Sequence, residues 1–336
     1  MLYFIWFIHE FYFNAHGYKR HKSHSTKIHL TKIVRLRALS NRKNVIIFLD
    51  TDKYASPFDM LVAIDLYPDA QIINYSNVEV SDAKRLIQDA MFPRGPEGAK
   101  HTKVFIGGQD VDKALEILDV IKKSMFPPFE LSVIIDPRGS NTTASSAVAK
   151  TMKLFEEKGF GDFKGKTAAI LAGTGPVGVV AARLYASEGG NVVLTSRKLD
   201  RAKDAAEKIN EELGTKQVCG VQAATPEETG EAIKNADVIL ACGAAGIELL
   251  PLSILEKYGK KCKVLGDINA VPPLGIEGMK ATHKGKEFTP GKFGIGALAI
   301  GPLKIQIEGE MFKRAVESAS GIVDYKTAYE IAKKLA

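Results

Sequence analysis

Three glycines, Gly173, Gly175 and Gly178, stand at the spacing Gly-x-Gly-x-x-Gly, with an apolar run before them and an Ala-rich, helix-patterned stretch after them. In the order strand, turn, helix, that spacing builds a phosphate loop for a dinucleotide. Gly173 permits the tight turn, Gly175 lets the backbone approach a pyrophosphate, and Gly178 lets the helix lie close on the sheet. Pro176 suits the first helical turn, where its missing N–H costs nothing. The free N–H groups and positive dipole end of that helix would face the anion. Gly173, Thr174, Gly175, Pro176, Val177 and Gly178 are therefore the cofactor-binding candidates. Standing alone, the same spacing would mean only a tight turn in an α/β protein.

A second apolar run ends in Thr195-Ser196-Arg197-Lys198. A site for NAD places Asp or Glu there to hold the ribose 2′-hydroxyl, whereas an Arg nearby accommodates the 2′-phosphate of NADP. Two hydroxyls and two cations suit the phosphate, so Ser196, Arg197 and Lys198 point to NADP. The plainer alternative is that Arg197 and Lys198 begin a solvated helix, with Asp200 pairing with one of them.

These elements need a scaffold, and 336 residues are enough for two domains. The net charge of +7 is unevenly spread. Residues 1–43 hold nine Lys or Arg against Glu10 alone, a net of +8, which leaves −1 on all the rest. The body therefore offers no electrostatic reason to expect nucleic acid. The first 43 residues also hold five of the seven His and the only Trp. They read as an extension outside the fold, disordered or loosely helical, with a basic targeting segment or a His-rich metal tract as the alternatives. The apolar part, Met1 to Phe13, is too short to span a bilayer, so no membrane partner is expected. Cys219, Cys242 and Cys262 each lie in or beside an apolar run and read as small buried hydrophobes, not metal ligands. A reduced, cytoplasmic setting follows, with no metal.

Strand patterns alternate with helical ones from Asn44 onward, which argues parallel sheets. The expected strands are Val45–Leu49, Ala70–Tyr75, Lys103–Ile106 and Leu131–Ile135, then Gln217–Ala223, Ala236–Ala241 and Lys263–Gly266 beyond the dinucleotide unit. Ser56-Pro57 opens one helix and Ser81 caps another, while Pro93 to Gly98 reads as a loop. Two late helices, Leu303–Ala319 and Tyr325–Leu335, follow a Lys- and Gly-rich region, Gly278 to Gly301. The expected architecture is α/β, with two αβα domains. A first domain spans 44–160, with helices of about 311–336 packing back on it, and a Rossmann domain spans 161–310. Ligands bind beyond the carboxyl ends of such strands. That places Asp50 to Asp52, Gly107-Gly108, Asp136 to Thr143, Gly173 to Gly178 and Asp267 to Gly275 around an interdomain cleft.

Several of these stretches carry a family resemblance: DTDKYASPFD from Asp50, GSNTTAS from Gly139, LAGTGPVG from Leu171, SRKLDRA from Ser196, DINAVPPLGI from Asp267 and FGIGALAIGPLKIQ from Phe293. In order and spacing the chain resembles the NADP-dependent methylene-tetrahydromethanopterin dehydrogenases of methylotrophs, some of which also accept methylene-tetrahydrofolate. The resemblance runs from about Asn44 to the C-terminus.

It implies hydride transfer from the methylene carbon bridging N5 and N10 of a reduced pterin to NADP, a step in which no proton moves. It places Asp50, Asp52, Asp136, Asn141, Thr142, Thr143 and Asn269 near the pterin and Asp267 near the cofactor. Lys304 is the catalytic candidate, and its plainer reading is a helix-start lysine in solvent. If it lies near the forming cation it must be neutralised, by a pterin carbonyl or by Asp136 or Asp267. Asp50 and Asp52 either hydrogen-bond the pterin or cap the following turn. Lys284, Lys286 and Lys292 could meet an anionic substrate tail. The Tyr-x-x-x-Lys pattern of bifunctional folate dehydrogenase/cyclohydrolases is absent from the corresponding part of the first domain. A homo-oligomer is expected from the resemblance. The competing functions are another NADP oxidoreductase of the shikimate dehydrogenase type, which would need a Lys/Asp pair for proton transfer, and a non-catalytic NADP sensor.

Overall fold

In β1 (Val45–Asp50), Ile46 and Phe48 enter one core while Ile47 and Leu49 enter another on the opposite face, and all four are buried. Parallel strands covered by helices on both sides require such two-sided burial. The structure is a computed structural model that describes residues 42–336, so the expectations for the basic, aromatic segment before Arg42 lie outside the described residues. β2 (Gln71–Tyr75), β3 (Thr102–Gly107) and β4 (Ser132–Ile135) join β1 in the first sheet.

The helices between these strands start for local reasons. Ser56 caps α1 (Pro57–Leu66) by accepting from Phe58 N, and Asp110 caps α4 (Val111–Ser124) by accepting from Lys113 N. In α2 (Val80–Met91) the cap is Glu79, in a reciprocal capping box with Asp82. Ser81, the expected cap, is therefore inside the helix: two carboxylates three residues apart satisfy both ends of the box. The expected loop at residues 93–98 contains a short helix, α3 (Gly95–Ala99).

The second sheet holds β5 (Thr167–Leu171), β6 (Asn191–Ser196), β7 (Val218–Gln222), β8 (Val238–Ala241), β9 (Val264–Asp267), β10 (Lys284–Thr289) and β11 (Lys292–Ile295). Their order is β10-β11-β9-β8-β5-β6-β7, parallel except for the antiparallel edge strand β10. Counted within this half, the parallel strands follow the 3-2-1-4-5-6 order of a Rossmann sheet. The intervening helices are α5 (Ser140–Glu157), α6 (Pro176–Ser187), α7 (Leu199–Leu213), α8 (Pro226–Ile233) and α9 (Leu252–Tyr258), followed at the end by α10 (Ala297–Glu317) and α11 (Tyr325–Leu335).

The C-terminal region differs most from the sequence pattern. The Lys- and Gly-rich stretch contains the β10–β11 hairpin, and α10 begins at Ala297, ahead of Leu303. Gly301-Pro302 disguises that start, because an interior Pro normally breaks a helical pattern. Between α10 and α11, β12 (Gly321–Val323) pairs parallel with β4 and completes a first sheet ordered β12-β4-β3-β1-β2. Lys103 Nζ and Ser132 Oγ both donate to Ser318 O, at 2.6 and 3.0 Å, and so fasten the turn that leads into β12. Lys103 is wholly buried, and burial pushes its ammonium down to about 8. Cys219 is exposed on β7, against the expectation of burial, while Cys242 and Cys262 are buried.

α5 is the shared spine. Its small residues Ala144, Ala147 and Val148 belong to one apolar core that also contains Phe48 and Phe105 of the first sheet and Ala168 and Ile170 of the second. Short side chains allow both halves to approach it closely, and Ser146 Oγ donates to Ile300 O of α10 at 2.8 Å. α10 closes the same core, with Phe312 stacked on Phe105 at 5.5 Å and 13°. No helix of the described residues is long and apolar enough to cross a membrane. Phe312→Ala should cost about 3–5 kcal/mol of stability, read as a lower denaturant midpoint with an unchanged slope.

Candidate active site

The glycine loop follows β5. Gly173 N donates to Thr195 O at 2.8 Å and Ala172 N to Thr195 Oγ1 at 3.1 Å, which ties the loop to the end of β6. Thr195 in turn donates to Ile170 O, so its hydroxyl is an internal brace. The glycines divide their labour as the spacing implies. A Cβ on Gly173 would meet Ile170 O and the Leu194 side chain at 2.8 Å, and one on Gly178 would meet Gly173 backbone at 2.6 Å. At Gly175 nothing lies closer than 3.5 Å, so the space above the start of α6 is open. No side chain caps α6, and Pro176 occupies its first turn. Ala172 adopts φ 53°, a left-handed conformation that costs a side-chain-bearing residue energy.

A cavity of about 520 Å³ opens over this loop. Thr174 to Val177 form one wall and Ser196, Arg197 and Arg201 another, with Cys242 to Ala244 below. Ser196 Oγ accepts from Thr174 Oγ1 at 3.4 Å and Lys198 N at 3.2 Å. Arg197 and Lys198 are exposed, and neither has an ion pair among the described residues; Asp200 pairs with neither. Arg201, in the first turn of α7, joins them on the cavity wall and was not among the sequence candidates. Only the fold makes it a neighbour of the glycine loop.

The opposite wall comes from the first half. Arg138 and Ser140 line the cavity, on the connection between β4 and α5. Arg138 is exposed with φ 54°, its Nε 3.5 Å from Asp52 Oδ2. Ser140 Oγ is buried without a hydrogen-bond partner. Both belong to the stretch Asp136 to Thr143 expected at the cleft, but neither is singled out by sequence because that stretch reads as one loop, whereas α5 begins at Ser140. Asn141, Thr142 and Thr143 therefore sit in a first helical turn. Asp136 organises that turn: its Oδ1 accepts from Asn141 N at 2.8 Å and its Oδ2 from Thr142 Oγ1 at 2.6 Å. Burial raises the Asp136 carboxyl to about 6, with Lys304 and the Thr142 hydroxyl pulling it down. Asn141 Nδ2 donates to Ile135 O at 2.7 Å. Thr143 is half-buried, with its hydroxyl unused by other side chains.

Other expected ligand residues are committed to loop structure. Asp50 accepts from Asp52 N at 2.8 Å and Ser56 N at 3.1 Å, the capping role of its two alternatives. Burial raises its carboxyl, against the pull of those two amides. Asp52 accepts from Gln109 N and bridges to Arg138. Asp267 Oδ1 and Oδ2 accept from Asn269 N and Ile276 N, and Asn269 braces the same loop through Val271 N and Pro273 O. Asp267 therefore holds its own loop in place through these two amides. Lys292 is buried and donates to Gly259 O and Cys262 O, so it is unavailable to a substrate tail. Lys284 and Lys286 lie exposed on β10.

Lys304 is far from a solvated helix-start lysine. Its Nζ lies 2.9 Å from Glu308 Oε2, with side-chain exposures of 16% and 1%, and 4.2 Å from the centre of the Phe58 ring. The ion-pair partner is Glu308, while Asp136, one of the two expected carboxylates, interacts with the ammonium from farther away and Asp267 forms no ion pair with it. Both oxygens of each aspartate already serve backbone or hydroxyl donors, whereas Glu308 sits one turn along α10, the i,i+4 spacing at which helical side chains meet. Asp59 of α1 lies against Glu308. On its other side Lys304 packs on Gly139, where a Cβ would stand 2.7 Å from Lys304 Cε. Gly139 is flanked by Arg138 and Ser140, both of which line the glycine-loop cavity, so Lys304 packs one residue away from that lining.

Residues 57–138 match a family described as methylene-tetrahydromethanopterin dehydrogenase, N-terminal. Two relatives come from Methylorubrum extorquens. The bifunctional protein MdtA is 38% identical over 294 residues, covering 88% of this chain and 99% of that protein. The NAD(P)-dependent methylenetetrahydromethanopterin dehydrogenase is 35% identical over 302 residues, again covering 88% and 99%. Among solved structures, quinate dehydrogenase from Corynebacterium glutamicum in complex with NAD is 16% identical with a TM-score of 0.48, covering 87% of this chain and 99% of that one. By its identity to these relatives over nearly their whole length, the chain belongs to the methylene-tetrahydromethanopterin dehydrogenase family.

Proposed function

We propose that the protein is an NADP-dependent dehydrogenase that oxidises the methylene group carried between N5 and N10 of a reduced pterin, tetrahydromethanopterin or tetrahydrofolate. The observation that carries this reading is the position of Gly139. Lys304 packs against it, while Arg138 and Ser140 on either side line the cavity over the glycine loop. A ligand in the cavity and a ligand beside Lys304 would therefore be neighbours.

The residues present fit a dinucleotide: the space at Gly175 is open, α6 has no side-chain cap, and Ser196, Arg197 and Arg201 line one wall. Bound there, NADP supplies the hydride acceptor. The hydride leaves the methylene carbon with its electron pair, and a nitrogen lone pair forms the C=N bond of the methenyl cation, so no protein group has to take a proton. What remains for the chain is placement, an effect worth up to roughly 7–11 kcal/mol in well-oriented cases. Thr143 and Lys304 are the polar groups offered to the pterin, and Phe58 holds Lys304 from one side. The exposed apolar residues Leu61 and Ile64 of α1, with Ile73 and Tyr75 on the edge strand β2, support a homo-oligomer.

The carboxylates around Lys304 favour one second reading, an NADP-linked hydroxy-acid dehydrogenase in which Lys304 moves a proton. Turnover assays separate the two. The protein is expected to form NADPH from methylene-tetrahydromethanopterin or methylene-tetrahydrofolate and not from shikimate-like hydroxy acids; failure with both carriers would sink the proposal. Arg197→Ala and Arg201→Ala should each weaken NADP about tenfold or more by calorimetry and NAD much less, because each removes a charge-assisted phosphate contact. Equal weakening of both cofactors counts against the 2′-phosphate assignment. Gly175→Ala should abolish NADP binding with little change in melting temperature. Gly178→Ala should cost about 1–3 kcal/mol of stability through overpacking.

A further inference from the structure

Four ionisable side chains meet out of water at the junction of the halves: Asp59 from α1, Asp136 from the end of β4, and Lys304 and Glu308 from α10. All three acids are buried. If every group were ionised, two uncompensated negative charges would share a dry site, an arrangement carboxyls avoid by keeping a proton. The partners of the oxygens bear on where that proton sits. Asp136 has both of its oxygens occupied by Asn141 N and Thr142 Oγ1. Glu308 Oε2 takes the Lys304 ammonium, and Glu308 Oε1 is buried with no N–H or hydroxyl bonded to it. The side chain that acts most directly on Glu308 from α1 is Asp59, which can donate to that oxygen only if protonated.

We infer that Asp59 and Glu308 share one proton, and that this acid pair is the positioning element for Lys304, fixing its ammonium and setting the charge around it. The inference rests on the reading of Lys304 as the residue beside the pterin. With the shared proton the cluster carries −1: one charge on Asp136 and one on the pair, against the ammonium. A lysine beside a carbon that becomes cationic would by itself oppose the reaction. Embedded in this cluster, it presents a net negative surrounding that favours the cation.

Burial, and then the charges of Glu308 and Asp136, hold the Asp59 carboxyl above its ordinary range, with Lys304 opposing. A carboxyl raised on folding contributes stability at pH below its unfolded value, and that contribution is lost as pH rises through the folded one. Stability and the placement of Lys304 should therefore both decline on the alkaline side.

The test uses the full chain. Infrared spectra of the cofactor-free protein at neutral pH should contain a buried carboxylic-acid C=O band that Asp59→Asn removes; this readout needs neither substrate nor turnover. In the dehydrogenase assay Asp59→Ala, which leaves Glu308 Oε1 without a donor, should lower kcat about tenfold with KM for NADP within twofold. Asp59→Asn, which offers an amide N–H, should recover most of that loss and flatten the alkaline fall in both kcat and melting temperature. A missing band, or an Asp59→Asn profile with the wild-type alkaline limb, overturns the shared proton. Asp59→Ala with wild-type kcat overturns the positioning role. Loss of turnover on both carriers in the wild type, with the band present, would instead strike the proposed substrate.

Discussion

The ion pair between Lys304 and Glu308 is the constraint on which the neighbouring structure depends. Removing two charges from water is costly, and their attraction repays it only with good geometry and full hydrogen bonding. Helical spacing supplies the geometry at 2.9 Å. Phe58 shields the ammonium, Gly139 leaves room for its stem, and Asp136 adds a compensating charge. These groups come from α1, the β4–α5 connection and α10, so the pair, though local to one helix, leaves water only when both ends of the described chain have come together.

That requirement accounts for the route of the C-terminal segment. α10 crosses from the second sheet to the first and delivers Lys304 on the way, Phe312 then seats it on Phe105, and β12 closes the first sheet beside β4. Lys103 serves the same end, since a buried ammonium must find acceptors and it finds Lys100 O and Ser318 O. α5 links this arrangement to the cofactor loop, with its first turn at the cleft and its small residues in the core that joins the halves.

Legibility followed range. The glycine loop could be read because its physics is local: a turn, an open helix start and a close packing contact within Gly173 to Gly178. The capping by Ser56 and Asp110 is local too. Glu308 is legible in principle, since a Glu four residues after a Lys on a helix is a recognisable pair, but Gly301-Pro302 hides the helix that sets this spacing. Ser81 yielded to Glu79 because two overlapping cap signals competed within three residues. β12 is three residues long and pairs with a strand nearly two hundred positions earlier, so no local pattern could announce it.

By itself, the sequence determined the alternation of strands and helices, the dinucleotide loop and the cationic end of β6, because each depends on residues a few positions apart. The tertiary structure decided which polar groups remain free for ligands. Asp50, Asp267, Asn269 and Lys292 turned inward to satisfy backbone groups, while Arg138, Ser140 and Arg201 emerged at the cleft. The physical reason is that a polar side chain serves whichever buried partner would otherwise go unsatisfied, and folding alone determines where those partners lie.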